Sequence, residues 1–470
     1  MDRKQKLLSN TLILAVGTFS SKILVFFMMP LYTACLAPGE YSAADLITQT
    51  ANFLIPVACA GITDGIFRFA MEQNEDKKTV FSSGIAVLLA TTAVFLLLSP
   101  MIGLYGELTR YVWLVAVYVV AANFHSAVSQ YIRAKGNMTL FSIGGILGTA
   151  LTITFNLIFL LGLDMGVIGY VLSVVLGDVF VTVFLVLFSG VWRDIDFRTV
   201  NRMKISEMLK YSIPMIPTVI FWWVTSVSDR FLVIAIQGDA VNGLYAAAYK
   251  VPTLLTLLCT VFIEAWQFSA VTERDEKERA AFFTEVFAGF QGLLFMAASA
   301  LVLLAEPITK ILLDDSYYES WRYIPVLALA MVFSSLVTFM GSVYMVRKKS
   351  MYSFVTAAIG AIVNILLNVL LIPTYSAMGA AVATVVSYLV VLCIRAVHTV
   401  KLVKFRVGVP RLVFNTVALA GQCVLALTEF RYRILLLLLL FGAILAVNGR
   451  DIIRGSLGIL SNLRKKSKKI

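Results

Sequence analysis

Long apolar stretches alternate with short polar breaks along almost the whole chain. A helix that crosses a bilayer needs about 20 mostly apolar residues, and blocks of this length recur from Ser9 to the basic C-terminal segment. The pattern predicts an all-α polytopic membrane protein with about fourteen transmembrane helices. The predicted helices cover residues 9–31, 45–67, 80–104, 111–131, 140–161, 166–188, 211–236, 243–270, 281–303, 323–345, 352–372, 379–400, 413–427 and 434–447.

The composition agrees with this pattern and narrows the possible chemistry. Hydrophobic residues make up 60% of the chain and charged residues 14%, with a mean hydropathy of +0.88, which excludes a set of soluble catalytic domains. The chain has only two histidines, His125 and His398, so a metal site or a histidine-based relay has little to be built from. Five scattered cysteines indicate small core residues rather than a disulfide framework. We therefore expect no cofactor.

The positions of Lys and Arg predict the orientation in the membrane. With a cytoplasmic N-terminus, roughly thirty of the 39 Lys and Arg residues lie in cytoplasmic segments, which follows the positive-inside rule. An even helix count then places both termini in the cytoplasm. The net charge of +12 follows from this bias and from the anionic inner membrane surface, so it does not indicate nucleic-acid binding.

Sequence similarities within the chain predict an internal duplication. The matched pairs, at offsets of about 204–213 residues, are Lys22-Ile23-Leu24-Val25 with Arg230-Phe231-Leu232-Val233, Gly39-Glu40-Tyr41 with Gly243-Leu244-Tyr245, Asn156 with Asn368, and Met165-Gly166 with Met378-Gly379. Two six-helix lobes of the same orientation, the parallel-repeat plan of some transporters, would produce these matches. The predicted lobes are residues 1–205 and 206–408, and residues 409–470 form two further helices and a basic cytoplasmic tail.

Three basic residues are expected inside the membrane at a similar depth. Lys22 lies roughly 20 Å from the cytoplasmic edge, and Arg230 and Lys250 lie about 10 Å below the outer edge, from the helix rise of 1.5 Å per residue. A charge at mid-bilayer is costly and therefore faces protein or water. We expect the three cations to line a central cavity. Asp229 either neutralises Lys250 as a structural ion pair or contributes to ion coupling.

The other ionisable residues within the predicted helices could each have a structural or a functional role. Asp64 and Arg68 are four residues apart and could form a local helix pair or take part in function. Asp178 and Glu264 could carry a coupling proton or form hydrogen bonds within their bundles. His125 is expected to be a hydrogen-bonded polar residue.

Three segments carry a resemblance to a known family. They are SNTLILAVGTFSSKILVFFMMPLYTACLAPGEYSAADL near the N-terminus, YSIPMIPTVIFWWVTSVSDRFLVIAIQGDAVNGLYAAAYKVP in the middle and NILLNVLLIPTYSAMGAAVAT early in the last quarter. Together they resemble the polysaccharide transporter family, the Wzx-like oligosaccharide flippases of the multidrug/oligosaccharidyl-lipid/polysaccharide exporter superfamily. The resemblance implies a fourteen-helix transporter that moves a polyprenyl-diphosphate-linked oligosaccharide across the cytoplasmic membrane by alternating access.

The resemblance also implies partners and binding residues. Family members use cations in the first, second and eighth helices, which correspond here to Lys22, Arg68 and Lys250, and the repeat adds Arg230. Expected partners are the lipid-linked sugar, membrane lipid, a coupling ion (proton or sodium) and polysaccharide-assembly proteins. Lipid II flippases carry more arginine near the start of helix one than this chain does, which weighs against a peptidoglycan precursor as cargo but leaves a lipid II flippase as an open alternative.

Two other functions are open to a chain of this composition. A multidrug or metabolite cation antiporter would require a cavity rich in carboxylates and aromatics, whereas the expected cavity is cationic. A membrane glycosyltransferase or polymerase would require a sizeable external domain with catalytic carboxylates. The largest predicted outer segment, residues 306–321, is too short for one.

Overall fold

The computed structural model describes residues 26–72, 74–272, 276–347 and 349–449. These residues form α-helices joined by 3₁₀ and irregular turns, and the described chain contains no β-strand. The helices are α1 (Met29–Cys35), α2 (Pro38–Ala58), α3 (Ile62–Ala70), α4 (Lys77–Leu98), α5 (Val112–Ala134), α6 (Met138–Asn156), α7 (Gly166–Ser189), α8 (Arg202–Ser212), α9 (Ile216–Gln237), α10 (Asp239–Lys250), α11 (Thr253–Thr272), α12 (Glu276–Leu303), α13 (Ala305–Leu312), α14 (Ile324–Val346), α15 (Ser350–Val403), α16 (Val409–Leu427) and α17 (Arg433–Gly449).

Many of these helices are long and apolar enough to cross a membrane. Within the described ranges nine helical segments meet this description, or ten when the bent pair α2–α3 is counted as one span. The axes of α2 and α3 differ by 57°, and the bend falls where Ala60 and Gly61 adopt positive φ. The predicted all-α polytopic class is therefore confirmed. The count of fourteen helices and the cytoplasmic termini stay predictions.

The chain divides into two compact units. The first comprises Met1–Phe231 with Gly238–Ala246, and the second comprises Leu232–Gln237 with Ala247–Ile470. This division follows packing, so it places most of α9 with the first unit. The lobes predicted from the repeat (1–205, 206–408 and 409–470) rest on a different criterion and stay predictions.

Each unit has its own apolar core. In the first unit Ile62, Ile66 and Met208 pack around the stacked rings of Phe81 and Tyr131, whose centroids are 4.1 Å apart. In the second unit the core is aromatic and joins α12 to α14 through the fully buried rings of Phe283, Phe287, Phe290 and Phe339. Each unit is therefore held together by close-packed apolar side chains of its own.

Polar caps fix where a helix begins. Asp76 precedes α4 and accepts hydrogen bonds from the backbone N–H groups of Lys78 and Thr79 and from the Thr79 hydroxyl. The hydroxyl contact is the main cause that lowers the pKa of Asp76, so the cap stays ionised at neutral pH.

A helix break is repeated in the two units. Asn156 and Asn368 are both fully buried, and each side-chain amide donates to the residue one turn earlier. Eight residues after each of them, at Asp164 and Ser376, the backbone turns to a φ of 49° and 53°. This local geometry recurs at the spacing of the predicted duplication.

A prediction concerns Gly243, which lies near the start of α10 beside Pro38. A Cβ atom at this position would overlap the backbone carbonyl of Pro38, whereas a Cβ at Gly145 on α6 would meet nothing within 4 Å. Gly243→Ala should therefore destabilise the protein by about 1–3 kcal/mol through overpacking, and the control Gly145→Ala should not. Thermal unfolding of the purified variants in detergent measures the difference. Equal melting temperatures would contradict the close approach.

Candidate functional site

Arg230 is a charged residue buried inside the first unit. It lies on α9 seven residues before Gln237, about 10 Å from that end of the helix. Only 5% of its side chain is exposed, and Nη1 donates to Oδ2 of Asp45 at 2.5 Å. The pair joins α9 to α2. Because two charges are brought together in an apolar setting, each compensates much of the other's desolvation cost.

Asp45 is held in place by further contacts between the same two helices. The Gln49 side-chain Nε2 donates to Asp45 Oδ1 at 3.3 Å, and the Gln49 backbone carbonyl oxygen accepts from Trp223 Nε1 at 3.1 Å. Trp223 also packs against the rings of Phe53 and Phe231. The carboxylate is therefore positioned by a hydrogen-bonded and aromatic frame.

Sequence reasoning missed Asp45 because it placed the start of the second helix at that residue. The helix begins at Pro38, so Asp45 lies two turns inside α2. A signal for the earlier start was present: proline at the first helical position followed by Glu40, which accepts from the Ala37 N–H at 3.0 Å.

Asp229 precedes Arg230 and has different partners. Its carboxylate is fully buried and accepts from the Tyr245 hydroxyl at 2.6 Å and from the Arg230 backbone N–H at 2.9 Å. The contact ties α9 to α10. Lys250 is the last residue of α10 and is partly buried, and its pairing with Asp229 stays a prediction.

Arg68 lies near the end of α3, where its side chain is 53% exposed and pairs with Glu72 at 3.1 Å. Arg68 thus forms an i to i+4 pair with Glu72, and the functional roles considered for Asp64 and Arg68 stay predictions. Asp64 is exposed on the same helix. An exposed pair of this kind adds little to stability, and the described contacts do not bring Arg68 to Arg230.

Asp178 pairs with His125 near the middle of the first unit. Asp178 Oδ1 lies 2.8 Å from His125 Nδ1, and the two side chains are 22% and 27% exposed. His125 is thirteen residues into α5 and Asp178 twelve residues into α7, so each is about 18–20 Å from the start of its helix. Asp178, which appeared alone on its helix in the sequence, therefore has a titratable partner on a neighbouring helix.

The structure does not describe the side chains of two predicted site residues, Lys22 and Glu264. Lys22 lies outside the described residues, and Glu264 lies on α11 in a stretch whose side chains are outside the described set. The predicted layer of Lys22, Arg230 and Lys250 stays a prediction.

The long apolar helices are those of a multi-pass membrane protein. The model of the family described as "Polysaccharide biosynthesis protein" matches residues 7–268, which is more than half of the chain. The chain belongs to this family, and the resemblance found in the sequence is confirmed. A search of curated protein sequences finds no match.

Solved structures of related membrane proteins share the fold. The chain is similar to the lipid II flippase MurJ in an inward closed conformation, with a TM-score of 0.70, 15% identity, and coverage of 93% of this chain and 99% of that one. It is also similar to an inward-facing multidrug resistance MATE family transporter of the MOP superfamily (TM-score 0.67, 14% identity, coverage 82% and 96%). A third match is a MOP superfamily transporter from Pyrococcus furiosus Vc1 (0.60, 14%, 86% and 97%). At these identities the similarity establishes the fold.

The buried pair yields a prediction about stability. Arg230→Met removes the guanidinium partner of the buried Asp45 carboxylate and should cost about 3–5 kcal/mol, whereas Asp45→Leu should cost less because Asp229 stays beside Arg230. The double substitution removes both charges and should recover most of this loss. Thermal unfolding and the yield of folded protein measure both effects.

The exposed pair Arg68–Glu72 provides the control for this comparison. Arg68→Met should change stability by less than about 1 kcal/mol, because solvent already screens this pair. If Arg230→Met were equally mild, the Arg230–Asp45 contact would not be a buried ion pair.

Proposed function

We propose that this protein is a flippase of the bacterial cytoplasmic membrane that translocates a polyprenyl-diphosphate-linked oligosaccharide by alternating access, for cell-surface polysaccharide biosynthesis. Membership of the polysaccharide biosynthesis family supports the pathway, and the fold shared with MurJ and MATE transporters supports the transport mechanism. The observation that carries the proposal is Arg230, a guanidinium buried at membrane depth and held by Asp45.

The cargo explains why a cation is kept at this depth. A diphosphate cannot cross hydrocarbon without replacement of its hydration shell, whereas the polyprenyl chain can remain in the lipid. Arginine is suited to replace that shell, because its planar guanidinium offers several donors to phosphate oxygens and stays charged at any physiological pH. Lys22, Arg68 and Lys250 remain proposed contributors on the basis of the family resemblance.

Asp45 acts in this proposal as a temporary substitute for the cargo. With the site empty, the carboxylate neutralises Arg230 and avoids the cost of an isolated buried charge. When the diphosphate enters, it competes with Asp45 for the guanidinium. The exchange of partners couples occupancy of the site to the packing of α2 against α9, because those two helices carry the two charges.

Asp178 and His125 are the proposed site of ion coupling. A carboxylate and an imidazole 2.8 Å apart can together release or take up a proton, and either change alters the net charge of the pair inside the membrane. Proton exchange at this point would therefore bias the conformation of the first unit. Asp64, Asp229 and Glu264 stay further candidates for coupling or charge pairing.

The first transport prediction uses the double variant Arg230→Met/Asp45→Leu, which should fold but lack the guanidinium. We expect its transport rate to fall about ten- to hundred-fold, as for loss of a charge-assisted hydrogen bond worth ~1.5–3 kcal/mol. The measurement is the accessibility of lipid-linked sugar to impermeant periodate on right-side-out vesicles.

Arg230→Lys with Asp45 intact is the companion variant and should be intermediate, because lysine keeps the charge without the planar donors. If the folded double variant Arg230→Met/Asp45→Leu transported at the normal rate, the ion pair would have only a structural role. Competition by lipid II in the same assay distinguishes a peptidoglycan precursor as cargo, since both lipids carry a diphosphate.

The second transport prediction concerns coupling. Asp178→Asn keeps an oxygen that can accept a hydrogen bond from His125 but cannot take up a proton. The variant should lose the stimulation of transport by an imposed pH gradient while its thermal stability changes little. The exposed Asp315→Asn is the matched control. Full stimulation in Asp178→Asn would exclude this residue from coupling.

A further inference from the structure

A second charged site lies in the second unit, independent of the transport proposal. A cavity of about 560 Å³ is formed by the C-terminal end of α14 and by the two halves of α15. Its polar end carries Tyr344, Tyr352, His398 and Lys401. This end lies beside Lys349, which belongs to the basic cluster that the positive-inside rule predicts to be cytoplasmic.

The polar end of the cavity is an organised cluster. His398 Nδ1 lies 3.2 Å from the Tyr344 hydroxyl, and the rings of His398 and Tyr352 are 4.1 Å apart. Lys349 lies over the ring of Tyr352 at 5.6 Å from its centroid. Lys401, one turn after His398, is exposed at the rim. Several donors therefore converge on one opening.

A buried arginine reinforces the positive charge of this region. Arg395 is 1% exposed and donates to Thr356 Oγ1 at 2.8 and 3.0 Å and to the Val337 carbonyl oxygen at 2.9 Å. Its guanidinium also lies 5.5 Å from the ring centroid of Tyr344. Gly341 makes room for the guanidinium, because a Cβ atom there would lie 2.7 Å from Arg395 Nη1.

The charged residues in the sequence around the cavity are all basic. From Tyr323 to Thr428 the chain contains no Asp or Glu. The basic residues in the same stretch are Arg347, Lys348, Lys349, Arg395, Lys401, Lys404, Arg406 and Arg411. A run of this kind at a membrane surface attracts anions.

The wall of the cavity below the polar end is apolar and open to the membrane. Val397 is 63% exposed and Val355 is 43% exposed, and both line the cavity. An occupant that satisfies both ends has a negatively charged head and a hydrocarbon chain. We propose that this cavity binds an anionic phospholipid, with the phosphate at Lys401, His398 and Tyr352 and an acyl chain along Val355 and Val397.

The test is lipid binding by the purified full-length protein, measured by native mass spectrometry with phosphatidylglycerol and phosphatidylcholine. Phosphatidylglycerol should bind more tightly than phosphatidylcholine, because it lacks the cationic group that offsets the phosphate charge. Lys401→Gln should weaken phosphatidylglycerol binding about ten-fold, because it removes a direct charge-assisted hydrogen bond to the phosphate worth ~1.5 kcal/mol.

Lys404→Gln is the matched control. This lysine is exposed three residues further on and does not line the cavity, so its removal should leave the affinity unchanged. Equal losses in the two variants, or equal binding of the two lipids, would overturn the proposal in favour of a diffuse surface charge.

The position of the acyl chain gives a second readout. A phosphatidylglycerol with a photoreactive group in its acyl chain should label peptides that contain Val355 or Val397. Labelling spread evenly over the lipid-facing helices would overturn the proposed site. Displacement of the lipid by millimolar inorganic phosphate would assign the cavity to a free anion instead.

Discussion

Burial of the Arg230 guanidinium in an apolar interior constrains how the helices of the first unit pack, because the charge needs partners there. The Arg230 side chain is 5% exposed, so its charge needs carboxylate partners inside the protein, and Asp45 provides one of them. The carboxylate fixes α2 against α9, and the Gln49–Trp223 contact repeats that connection one turn away. Apolar contacts alone would allow α2 and α9 to pack at several relative positions. The polar contacts select one of them.

The same requirement accounts for the close approach at Gly243. Asp229 adds a second carboxylate next to Arg230, and its partner is the hydroxyl of Tyr245 on α10. Asn242 on that helix also donates to Ser42 on α2 at 2.9 Å. α10 can lie this near to α2 only because residue 243 lacks a Cβ atom. The contact between Asp229 and Tyr245 therefore depends on the glycine at position 243.

The positions of many helices could be predicted from the sequence, whereas the pairing of buried charged residues could not. The apolar blocks at residues 80–104 and 140–161 reappear as α4 and α6 with their following turns, because membrane helices must satisfy their own backbone. The predicted helices at 352–372 and 379–400 form the single element α15, broken at Ser376. Partner choice depends on tertiary packing, and Asp45 is 185 residues from Arg230. His125 and Asp178 likewise meet only because α5 packs on α7.

An ion pair suits a transporter better than a permanently unoccupied cation would. A bare guanidinium at low dielectric would hold a diphosphate too tightly to release it on the far side, because the attraction grows as the dielectric falls. Under the proposed function, competition from Asp45 would reduce the net gain on binding to the difference between a doubly charged diphosphate and a single carboxylate. Release would then need only the return of Asp45, which stays on α2 beside the site at high effective concentration. The carboxylate that sequence reasoning overlooked thus sets how strongly Arg230 can hold its proposed cargo.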